Sequence, residues 1–149
     1  MLFLELLNKC DEEKLVKQYL LLKETETSDS HVEQRIKEVI DDLKYNRIPV
    51  RFNMTMVLEK GVTEDGEEVD IIFLRDNEEE DNVYSFEGLP WGAIMGCEVE
   101  EKSLTEIGSN ERFAALVLFE MTYFGYSDDD VQRRIAKMLE EEATPKPLQ

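Results

Sequence analysis

Between residues 32 and 43 the apolar positions are Val32, Ile36, Val39, Ile40 and Leu43. Their spacings of three and four predict an amphipathic helix. Two shorter helices are predicted before it. Leu2 to Lys9 docks through its leucines, and a second helix runs to about Lys23 with Leu15, Val16, Tyr19 and Leu20 on one side. Asp11 suits the N-cap of that second helix, with Glu12 and Glu13 at the positive end of its dipole. ETETSDS (24–30) reads as a polar loop in which Ser28 or Ser30 caps the third helix.

Pro49 ends the helical option, and the pattern changes to period two. Residues 50–59 alternate as a half-buried strand. Residues 68–76 form a second strand, apolar on both parities at Ile71, Ile72, Phe73 and Leu74, as expected at the centre of a sheet. Residues 82–86 supply a third. Asp65-Gly66 is read as a two-residue hairpin turn, which would pair Leu58 with Phe73 and Met56 with Arg75. The expected sheet is a three-stranded antiparallel meander.

Pro90 opens a short helix carrying Trp91 and Ile94, stopped by Gly96, and Leu104 to Ile107 form another turn. Ser109 or Asn110 caps a long apolar helix, ERFAALVLFEMTYF, that Gly125 ends. Ser127 and Asp130 have capping-box spacing before a last amphipathic helix through Val131, Ile135, Met138 and Leu139. The fold class is α+β, with five or six helices packed mainly on one face of the sheet. Residues 1–142 form a single domain, and 143–149 a frayed tail.

Charge changes the picture most. The 149 residues carry 35 acids against 17 bases, a net charge of −18. Such a field repels phosphates and anionic lipid, so nucleic acid and membrane are poor partners, and a basic protein is the favoured one. Between Glu59 and Asp81 there are eleven acids and two bases, Lys60 and Arg75. Candidate partner-binding residues are Glu64, Asp65, Glu67 and Glu68 at the hairpin tip, and Asp76, Glu78, Glu79, Glu80 and Asp81 after the second strand. The competing reading is that these acids only keep sheet ends from pairing with other chains.

Most catalytic chemistry lacks its residues. His31 is the single histidine, which excludes histidine clusters for a metal, and no glycine elbow surrounds a candidate serine. Phosphate loops, dinucleotide fingerprints and CxxC pairs are missing. The consecutive aspartates 128–130 and the run 78–81 lack the alternating ligands of a calcium loop. No metal and no cofactor is expected. Cys10 and Cys97 read as reduced thiols. The opening MLFLELLNK has no basic residue before its apolar run, so neither a signal peptide nor a span is read, and the expected compartment is the cytoplasm. Trp91 and the aromatics Phe119, Tyr123, Phe124 and Tyr126 are assigned to the core.

Glu120 is the exception inside an apolar helix. From Phe113 to Phe124 the polar residues are Glu120 and Thr122 alone, and Phe113, Val117, Glu120 and Phe124 share a face. A charge there needs a partner. The expected register carries Arg75 on the face of Val69, Ile71 and Phe73, toward the helices. Glu120 is therefore predicted to be a structural acid paired with Arg75, or else with Arg51. On that basis Glu120→Ala would cost roughly 3–5 kcal/mol.

Trp91, the stretch Glu120-x-Thr122-Tyr123-Phe124-Gly125-Tyr126 and the opening from Phe3 to Leu7 resemble an uncharacterised bacterial family of small acidic cytoplasmic proteins. That resemblance implies no catalytic residue. Three readings of function follow. The leading one is a non-enzymatic binding protein, immunity-like or inhibitor-like, that masks a basic protein surface. The others are an enzyme working with carboxylates alone, Glu120 among them, and a structural homodimer subunit.

Overall fold

A computed structural model describes residues 1–22, 30–45 and 48–123. The loop 24–29, the side chain of Tyr123, residues 124–126, the last predicted helix and the tail lie outside the described residues. The helices α1 (Phe3–Lys9), α2 (Glu12–Leu22) and α3 (Ser30–Tyr45) come first. Strands β1 (Met54–Val62), β2 (Glu68–Asp76) and β3 (Val83–Tyr84) follow, then α4 (Trp91–Met95), β4 (Glu98–Val99), α5 (Glu101–Ile107) and α6 (Asn110–Tyr123). The class is α+β.

Local signals account for the ends of these elements. Lys14 donates its backbone N–H to Asp11 Oδ1 at 3.0 Å, and Arg112 donates its own to Ser109 Oγ at 3.2 Å, so Asp11 and Ser109 cap α2 and α6. In α6 the six residues Phe113 to Leu118 are all buried, together with Met121. Tyr19 of α2 meets this helix through its hydroxyl, 2.7 Å from Thr122 Oγ1, and stands edge-on to Phe119.

The sheet is mixed rather than a three-stranded meander. Its order is β3-β2-β1-β4, with β4 parallel to β1. Two residues carry no readable period, so β4 escapes sequence analysis. Residues 50–53 precede β1 instead of belonging to it. They run beside α4, with Val50 N–H bonded to Gly92 O and Phe52 N–H to Gly96 O. Where β4 ends, the ladder of β1 continues on a side chain, because Leu58 N–H donates to Ser103 Oγ at 2.8 Å.

Register is the consequential difference. The hairpin loop is Glu64-Asp65-Gly66, flanked by Thr63 and Glu67, whose chains are joined by a Thr63 N–H to Glu67 O bond. Gly66 takes the left-handed conformation at φ 84°, the usual end of a three-residue loop. Leu58 then pairs with Ile72, Met56 with Leu74 and Thr55 with Arg75. One residue of slip sends every β2 side chain to the opposite face. Ile72 and Leu74 are buried among the helices, while Val69, Ile71 and Phe73 remain half-exposed.

Candidate functional site

Arg75 follows the register. Because Asp70 of β2 receives Arg112 of α6 at 2.8 Å, the even-numbered residues of β2 face α6 and the odd ones face away. Arg75 crosses β1 on that far face and donates from Nη1 to Glu100 Oε2 at 2.9 Å. Glu100 Oε1 accepts from Ser103 Oγ at 2.6 Å, so one carboxylate joins β2, β1 and α5. The expected Glu120–Arg75 pair is thus replaced by Glu100–Arg75. Nothing in the sequence around Glu100 marks it as the acceptor, since its position depends on the parallel pairing of β4.

Glu120 is half-buried on α6, and its side chain has no hydrogen bond or ion pair to Arg75, Arg51 or any other described residue. Burial alone pushes its carboxyl above the ordinary glutamate value. It lines none of three surface concavities: one beside Arg51, one between Phe52 and Tyr84, and one around Gly108.

The predicted acidic surface divides in two. Glu64, Asp65, Glu67 and Glu68 lie at the hairpin tip, and Asp76 to Asp81 lie at the other end of β2, roughly 25 Å away for a nine-residue strand. They are not crowded on one end of the sheet. The second group builds its own turn. Asp76 Oδ1 accepts the N–H groups of Glu78 and Glu79, Asn82 Nδ2 donates to Glu79, and Asn53 Nδ2 donates to Glu78. The four tip carboxylates are exposed and enter no such bonds among the described residues. Their backbone is fixed, with Gly66 N–H on Thr63 O and Glu67 N–H on Thr63 Oγ1.

The remaining chemistry is sparse. Cys10 and Cys97 are free, buried, and pushed up to about 12 by desolvation. His31 is exposed at the start of α3. Among the described residues no group of three His, Cys, Asp or Glu is placed to hold a metal ion. No described helix is long and apolar enough to cross a membrane.

A concavity of about 330 Å³ opens beyond the start of β1, lined by Arg51, Phe52, Asn53, Asn77, Gly96 and Glu98. Sequence analysis missed it because its walls come from three separated segments. Comparison with curated proteins and with solved structures gives no match. Residues 4–146, almost all of the 149, match one family: the chain belongs to the family of unknown function DUF6557.

Proposed function

We propose that the chain is a non-enzymatic binding protein of the bacterial cytoplasm that docks a basic protein through the tip of the β1–β2 hairpin. One observation carries this reading. Four exposed carboxylates, Glu64, Asp65, Glu67 and Glu68, stand on a hydrogen-bonded turn without an ion pair among the described residues, next to Val62, which is 70% exposed. Unpaired surface charge beside apolar area steers and then holds a partner of opposite charge. Asp76, Glu78 and Glu79 contribute less, because their oxygens are engaged in their own turn. Reduced, buried cysteines agree with a reducing compartment.

The test is a pull-down from the source cell at low salt and at ~0.5 M salt, where exposed pairing is screened. A basic protein should be retained at low salt, released at high salt, and lost when Glu64 and Glu67 are both changed to lysine. Retention that ignores the double change would overturn the tip as the docking surface.

A second reading, an enzyme using Glu120, draws on the raised carboxyl in a half-buried setting. It requires a second carboxylate at working distance, whereas burial alone accounts for the raised Glu120 carboxyl.

A further inference from the structure

We infer that the concavity beside Arg51 binds a small monocarboxylate that carries a neighbouring carbonyl, the chemistry shared by an N-acyl amino acid and a peptide C-terminus. This is independent of the hairpin-tip reading, since the two places lie at opposite ends of the hairpin.

The charge arrangement leads to it. The chain has twice as many acids as bases, yet Arg51, exposed at the cavity wall, has no ion pair or hydrogen bond among the described residues. Of the residues that line the cavity, Glu98 is the one acid, and it holds the Met1 ammonium at 2.9 Å. Arg51 is therefore the uncompensated charge of the cavity, and its planar fork suits a carboxylate.

The amides are oriented in advance. Asn77 Nδ2 donates to Asn53 Oδ1 at 3.1 Å, and Asn77 Oδ1 accepts from the buried Thr55 hydroxyl at 2.6 Å. Each NH₂ has two hydrogens and spends one, so two amide donors remain for carbonyl oxygens of a ligand. Phe52 supplies an apolar wall. Gly96, another lining residue, has its backbone against the Val50 carbonyl.

Size and field narrow the class. About 330 Å³ is at the small end of ligand pockets and leaves room for an acylated amino acid. A molecule of net charge −18 repels polyanions, so a single negative charge is what Arg51 can hold.

The experiment is a titration of the ¹⁵N-labelled protein with N-acetylalanine, N-acetylalanine amide and acetyl-Gly-Gly-Ala acid, reading the side-chain amide signals of Asn53 and Asn77. Saturable shifts are expected with both acids, and binding at least about tenfold weaker with the amide. A tighter tripeptide points to a peptide tail, and a tighter N-acetylalanine to a free acid. R51Q should abolish the shifts while leaving the melting temperature unchanged, and R51K should retain part of them. Equal binding of acid and amide, full binding by R51Q, or no saturation by about 20 mM, well above a millimolar Kd, would overturn the site.

Discussion

Arg75 and Glu100 meet across β1, Nη1 to Oε2 at 2.9 Å, on the face of the sheet turned away from α6. The pair is partly buried, with side-chain exposures of 33% and 26%, and it shares its carboxylate with Ser103. Arg75 Nε is buried without a partner, so this guanidinium depends on Glu100. Glu100→Ala should cost about 1–3 kcal/mol, and Glu100→Gln less, because the Ser103 bond can survive. Chemical denaturation of both variants measures this. A loss smaller than for Glu120→Ala would contradict the assignment.

Glu120 carries the opposite expectation. Without a described partner, its replacement by alanine should cost under about 1 kcal/mol rather than the several expected of a paired acid. Its raised carboxyl means that the folded state binds a proton that the unfolded state releases. The resulting cost is present near neutral pH, is relieved as pH falls through the folded-state value, and is gone below the ordinary glutamate value of 4.5. Glu120→Gln should raise the melting temperature at pH 7 and change it little below that ordinary value. An equal shift at both pH values would show that ionisation is not the cause.

Gly96 is required by space. A Cβ there would lie 1.8 Å from Val50 O and 2.6 Å from its carbonyl carbon, and neither backbone atom can turn aside. Gly96→Ala should destabilise by an amount at the upper end of the roughly 1–3 kcal/mol typical of overpacking. Gly66→Ala is strained for another reason, its positive φ, with open space around it. Thermal melts of the two variants should place Gly96→Ala as the more damaging.

Both thiols should be inert in the folded protein. With values of about 12 and burial among core side chains, they offer little thiolate at pH 8. Iodoacetamide labelling followed by mass spectrometry should show no modification until urea unfolds the chain. Rapid labelling of either cysteine under native conditions would mean that the structure around it, at the end of α1 for Cys10 or between α4 and β4 for Cys97, opens locally.

Added salt should raise the melting temperature near neutral pH, since the four tip carboxylates repel one another and none is in an ion pair among the described residues. The rise should shrink in the Glu64→Lys, Glu67→Lys double variant. A melting temperature that stays flat between low and moderate salt would show compensation elsewhere.

Periodicity and caps were enough to read much of this fold. The stripe Ile36, Ile40 and Leu43, the all-round apolar α6, the caps Asp11 and Ser109 and the short helix at Trp91 depend on contacts within a few residues, where side-chain spacing decides the backbone. Composition alone indicated a strongly acidic chain without histidine or glycine-loop chemistry. Tertiary structure decided the rest. Asp65-Gly66 is compatible with a two- or a three-residue loop, and β2 is apolar on both parities, so hydrophobic pattern could not choose between registers. Packing of Ile72 and Leu74 against the helices chose the longer loop, and that single residue sent Arg75 to Glu100 instead of Glu120. The Arg51 concavity likewise joins residues 51–53, 77 and 96–98, a juxtaposition created by strand pairing and absent from any local pattern.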